Sequence, residues 1–301
     1  MRWLWQRGLR RGGVSRAARE ALVLYDLPRL RKPVVICSFE GWNDAASAAS
    51  TATDFLRKAW SATPFAEIDP EEFIDFTDSR PEIRLVDGET RVIVWPRTVL
   101  SWASPPGLPF DVVLVRGFEP QLRWRTYSAL LVNLLSKLGA DRVVTAGALL
   151  AEIAHSRPVP VAASTTDAEL LKRAGLSRSR YEGPTGIVGV VHASLGEAGI
   201  PAASVWASIP YYVPQITSAK AALALVKATE NVIGFKVDKR DLERSATNYE
   251  KEVDELVAED DDVAAYVARL EEIGASEAAE EAPLPDIAAE AEKFLRDQRH
   301  H

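Results

Sequence analysis

The stretch Val34-Val35-Ile36-Cys37-Ser38-Phe39-Glu40-Gly41-Trp42-Asn43-Asp44, followed by small residues from Ala45, joins an apolar run to a polar loop and a helix start. An apolar run of this kind reads as a strand buried on both faces. Asn or Asp ahead of a helix supplies its cap. Strand, loop and helix in this order predict an open α/β sheet, and such sheets receive ligands at the carboxyl ends of their strands. Glu40, Trp42, Asn43 and Asp44 stand at that end.

Working outward, strands are expected at Val34–Phe39, Phe65–Ile68, Glu82–Val86, Val92–Trp95, Val112–Arg116, Arg142–Leu149 and Ser204–Ile209. Asp87-Gly88 marks a hairpin, because these residues accept the positive φ of a tight turn. Helices are expected at Ala45–Trp60, Trp124–Leu138, Asp167–Arg173, Ile187–Glu197 and Ser218–Ile233. Tyr127, Leu130, Leu131, Leu134, Leu135 and Leu138 recur at helical spacing and form a core-facing stripe. Strands alternating with helices predict a three-layer α/β/α sandwich with a mostly parallel sheet.

The chain divides into a basic extension (1–21), an α/β core (22–236) and an acidic helical extension (237–301). Residues 238–273 carry apolar positions at helical spacing, which predicts two amphipathic helices broken near Asp260–Asp262. Residues 274–285 read as a linker, and a last amphipathic helix is expected over about 286–298.

Net charge is −7 over 301 residues. Residues 1–32 hold nine Lys/Arg against two Asp/Glu, a net of +7; residues 238–301 hold eight against twenty, a net of −12. Oppositely charged ends favour self-association, and the negative total argues against nucleic acid as a partner. Six arginines before residue 20 are the one segment suited to an acidic partner. The single cysteine, Cys37, excludes an internal disulfide and fits the cytoplasm. One cysteine and four histidines do not suggest a metal site. No apolar run is long enough for a membrane span.

Four polar loops carry the candidate chemistry. The first holds Glu40, Trp42, Asn43 and Asp44. Arg116 and Glu119 lie in the second, His155 and Arg157 in the third, Tyr181 and Glu182 in the fourth. Carboxylates close together split their pKa values, and histidine titrates near neutrality, so Glu40, Glu119, Glu182, His155 and Arg116 suit acid–base work. Asn43 and Asp44 compete for one helix cap. Gly183, Thr185 and Gly186 open a helix whose free amides suit an anion, with Thr185 as the expected cap. There is no phosphate-binding glycine motif and no nucleophile elbow, so no cofactor or catalytic residue is indicated.

Five motifs resemble the proteasome assembly chaperone 2 family, in its actinobacterial branch: Phe-Glu-Gly-Trp-Asn-Asp-Ala (39–45), Arg-Gly-Phe-Glu-Pro (116–120), Gly-Ala-Leu-Leu-Ala-Glu (147–152), Tyr-Glu-Gly-Pro-Thr-Gly-Ile-Val-Gly (181–189) and Trp-Ala-Ser-Ile-Pro-Tyr-Tyr-Val (206–213). The resemblance covers roughly residues 22–236. It implies a phosphorylase/hydrolase-like fold, self-association and help in building proteasomes, and no catalytic residue. Archaeal and eukaryotic relatives that dock on proteasome α-rings often do so through a C-terminal hydrophobic-Tyr-X tail; this chain ends Asp297-Gln298-Arg299-His300-His301, so docking by that route is not expected.

Two functions follow as expectations. One is a homo-oligomeric chaperone or scaffold with proteasome subunits as partners. The other is an enzyme or small-molecule binder of hydrolase, phosphorylase or ligase type, with a pocket at the strand-end rim.

Overall fold

A computed structural model describes residues 21–179 and 181–281. Apart from Ala21, the N-terminal extension lies outside the described residues, as does the helix expected over 286–298.

The main sheet has nine strands in the order β1 (Leu22–Leu24), β3 (Thr63–Ile68), β6 (Thr98–Ala103), β7 (Val112–Phe118), β2 (Val34–Glu40), β8 (Arg142–Ala151), β11 (Ala202–Pro210), β9 (Val161–Thr165) and β10 (Ser177–Arg178). Its centre, β7-β2-β8-β11, is parallel. The flanks depart from the expected parallel sheet: β6 joins β7, β3 joins β6, β1 joins β3 and β9 joins β11 in antiparallel pairs. Strands β1, β6, β9 and β10 escaped the sequence because they are short or rich in Ser, Thr and Ala.

The central strands bury both faces, which explains their unbroken apolar sequences. One face packs Val34, Ile36, Leu114 and Ala146 against α1 (Ala48–Ala59), α3 (Ala168–Ala174) and α5 (Ala219–Ile233). The other packs Val35, Cys37, Phe39 and Val115 against α2 (Trp124–Lys137) and α4 (Ile187–Glu197). The α2 stripe is buried at Tyr127, Leu130, Leu131, Leu134 and Leu135. Desolvation raises the Tyr127 pKa, and its hydroxyl meets Thr98 Oγ1 at 2.6 Å.

Beyond the core, α6 (Arg240–Ala258) and α7 (Asp261–Glu281) break at the expected acidic turn. Residues 274–281 continue α7, so the linker expected from residue 274 is helix up to that point. Gly and Ser at 274 and 276 were outweighed by the surrounding Ala and Glu, which are strong helix formers. Helix α6 buries Leu242, Ala246, Tyr249, Val253 and Val257.

Strands β4 (Glu82–Val86) and β5 (Thr90–Val94) form a separate antiparallel hairpin. Its turn has positive φ at Asp87 (52°) and Gly88 (76°), as the Asp-Gly signal predicted. Among the described residues no helix is long and apolar enough to cross a membrane.

Candidate functional site

Register brings the first two loops together. Glu40 at the end of β2 stands beside Phe118 on β7, and the Glu119 amide donates to the Glu40 carbonyl at 2.7 Å. The Ala148 amide donates to the Asn43 carbonyl at 2.8 Å, which ties the loop to β8.

Glu119 is the hub. It is 8% exposed. Its Oε1 accepts from Asn43 Nδ2 (2.5 Å) and from the Ile187 amide (2.8 Å), and its Oε2 accepts from the Trp42 amide (3.0 Å). One carboxylate thus joins the loop after β2, the loop after β7 and the first turn of α4. Two glycines make room for it. A Cβ on Gly186 would lie 2.4 Å from Asn43 side-chain atoms and 2.5 Å from Glu119 Oε1. Gly41 has φ +120°, and a Cβ there would meet Glu119 Cβ at 3.1 Å.

The anion expected at Gly183, Thr185 and Gly186 has a counterpart within the protein: the Glu119 carboxylate sits on the first amide of α4. Such a group is favoured at a helix N-terminus. Thr185 does not cap α4 as expected. Gly186 holds the N-cap position, and Thr185 Oγ1 donates weakly to the Gly186 carbonyl at 3.4 Å.

Asp44, not Asn43, takes the first helix. Its Oδ1 accepts from the amides of Ala49 (2.6 Å) and Ser50 (3.2 Å). The chain enters through a 3-10 turn at Ala45–Ser47, so α1 starts three residues later than expected. Burial raises the Asp44 pKa, partly offset by these donors and by Arg116.

Glu40 pairs with Arg116, whose Nε also donates to Asp54 Oδ2 at 3.3 Å. Asp54 in turn receives Arg57 Nε at 3.2 Å. A cleft of about 690 Å³ opens over this rim, lined by Glu40, Trp42, Glu119, Trp124, Gln121 and Thr185 among others. Within it Glu40 is ion-paired and both Glu119 oxygens are engaged.

His155 and Arg157 belong elsewhere. The His155 imidazole is buried between Tyr212 Oη (2.7 Å from Nδ1) and Asp254 Oδ1 (2.9 Å from Nε2), while Lys220 Nζ donates to its carbonyl at 2.6 Å. Desolvation pushes the Tyr212 pKa up to about 12. Arg157 Nη1 reaches the Glu271 carbonyl at 3.5 Å, and Ser156 Oγ donates to Glu271 Oε1 at 2.6 Å. These residues fasten α6 and α7 to the loop after β8. Tyr181 is exposed and donates to the Pro184 carbonyl at 2.8 Å; Glu182 is exposed. The set Glu40, Glu119, Glu182, His155 and Arg116 is therefore spread over separate structures.

The exposure of the hairpin is a feature that the sequence reading does not anticipate. Ile83, Leu85 and Ile93 are 66%, 59% and 56% exposed. The signal was present: apolar residues on both strands of an Asp-Gly hairpin. Among the described residues no cluster of three or more His, Cys, Asp or Glu is placed to hold a metal ion.

No curated protein matches the chain. A Mycobacterium tuberculosis proteasome-assembly chaperone homologue is 45% identical, with 78% of this chain and 99% of that one covered and a TM-score of 0.71. A PAC2 family protein from Streptomyces avermitilis is 42% identical, with 78% and 99% covered and a TM-score of 0.71. An archaeal proteasome activator from Pyrococcus furiosus, 17% identical with 78% and 97% covered and a TM-score of 0.64, shares the fold. The model of the PAC2 family matches residues 38–257, from β2 through α6, and the chain belongs to that family.

Proposed function

We propose that this chain is a proteasome-assembly-chaperone-like protein of the cytoplasm that acts through protein–protein contact as a homo-oligomeric scaffold, with proteasome subunits as partners. The Mycobacterium tuberculosis relative is described as a proteasome-assembly chaperone homologue. The observation that carries the contact role is the β4–β5 hairpin. An isolated two-stranded hairpin is marginal in water. Here Ile83 pairs across the strands with Ile93, Leu85 follows on the same face, and the arm is anchored at its base by the Phe76–Trp95 contact (4.8 Å between rings). An apolar arm held out this way is a surface built to be covered.

The test is light scattering on the full chain. Wild type is expected to be oligomeric, and Ile83→Asp with Ile93→Asp is expected to yield monomer with unchanged circular dichroism. Co-purification with proteasome α-subunits should fall with the same pair. A monomeric wild type, or an oligomer indifferent to both substitutions, would refute the scaffold role.

A further inference from the structure

On the α2–α4 side, the sheet is wider than its helical cover. Strands β11 and β9 alternate, so Ala203, Val205, Ala207 and Ala163 face the α1–α5 core, and Ser204, Trp206, Ser208, Ala162 and Ser164 face the other way. The register places Trp206 beside Ala162 and Ser204 beside Ser164. These residues floor a second cavity of about 670 Å³ beyond the Trp42–Pro184–Thr185 wall of the rim cleft. Its sides are Leu149, Leu150, Tyr181 and His192.

Three observations define what fits. First, the Trp206 indole is fixed in place. It lies over Gly147 of β8, where a Cβ would come within 2.6 Å of its ring, and its Nε1 donates to Ser204 Oγ at 2.8 Å. Second, among the described residues the lining holds aromatic, aliphatic and hydroxyl groups and no Asp, Glu, Lys or Arg. A charged ligand would be desolvated there without a counter-charge from these residues. Burial also lowers the His192 pKa, which keeps this wall neutral. Third, His192 Nδ1 is buried with no hydrogen-bond partner among the described residues. A volume of this size, mostly apolar with a few polar groups, is that of a small-molecule site.

We propose that this cavity binds an uncharged planar ring compound, stacked on Trp206 and hydrogen-bonded through the serine hydroxyls and His192. This goes beyond the scaffold role and does not depend on it.

Three matched probes test it on the full chain: indole-3-carboxamide (neutral), indole-3-carboxylate (anion) and tryptamine (cation), followed by saturation-transfer NMR and calorimetry. The carboxamide is expected to bind at least about tenfold more tightly than either charged probe. Trp206→Ala should weaken it by about tenfold or more. Ser164 is exposed, so Ser164→Trp fills the cavity from its edge with the fold intact by circular dichroism, and should abolish binding. Absence of binding by the carboxamide, equal binding of the charged probes, or unchanged binding to Ser164→Trp overturns the proposal. Carboxamide binding that appears only after the oligomer is dissociated overturns it too, since a second copy would then occupy the cavity.

Discussion

At the scale of the residue, Glu119 shows how a candidate acid becomes a structural joint. Three donors from two segments converge on its two oxygens. Glutamine keeps one acceptor oxygen. With that oxygen toward Asn43 and Ile187, its amide faces the Trp42 N–H and one bond is lost, so Glu119→Gln should cost about 1–2 kcal/mol in urea unfolding. Glu119→Ala strands all three donors and should cost about 2–4 kcal/mol. If both variants match wild type, the joint is not what holds the rim. Asp44 behaves differently. Asp44→Asn retains an acceptor for Ala49 and Ser50 and removes a buried charge, so its unfolding free energy should stay within about 1 kcal/mol of wild type, whereas Asp44→Ala loses the cap and about 1–2 kcal/mol. The two candidate caps were legible in the sequence. The choice between them was not, because it depends on Glu119, which is remote in the chain and claims Asn43.

At the scale of the element, the acidic helical pair is bound to the core by buried polar links. Glu230, 2% exposed at the end of α5, accepts from the Val237 amide (2.9 Å) and Lys239 Nζ (2.6 Å), at the approach to α6. Burial alone would raise its pKa, but Lys239, Val237 and Lys236 together hold it below the ordinary value of 4.5. The sign is fixed by linkage. An acid with a lowered folded-state pKa contributes its full stability above the unfolded value, and loses it as pH falls through the folded one. Wild type should therefore lose stability relative to Glu230→Gln as pH drops from about 5 to about 3, read by thermal unfolding across that range. A constant difference between the two would rule this link out as a pH-dependent one. The helices themselves were legible from 3.6-residue periodicity. Their docking was not, since His155 meets Tyr212 and Asp254 across long sequence separations. The antiparallel flanks were hidden for a related reason: β6 and β9 gain their strand character from neighbours rather than from β-branched runs.

At the scale of the whole molecule, the question is whether α6 and α7 are an appendage or part of the fold. Composition favours an appendage, with a net of −12 beyond residue 237. Burial favours the opposite. Leu242 joins the main core beside Phe235, and Tyr249, Val253 and Val257 close a second cluster with Ala154 and Val213. Each such side chain contributes about 1.5–3 kcal/mol when fully buried, against a typical domain stability of about 5–15 kcal/mol. Helix α7 adds less, through Val267 and Leu270 on the same small cluster. Two truncations separate these contributions. A chain ending at Asp260 keeps α6 and should be soluble and folded, with a lower urea midpoint. A chain ending at Val237 uncovers apolar surface on α5 and around Val213, and should be insoluble or unfolded by circular dichroism. A stable, soluble chain ending at Val237 would mean that the α/β sheet and its five helices stand alone, and that α6 only rests on them.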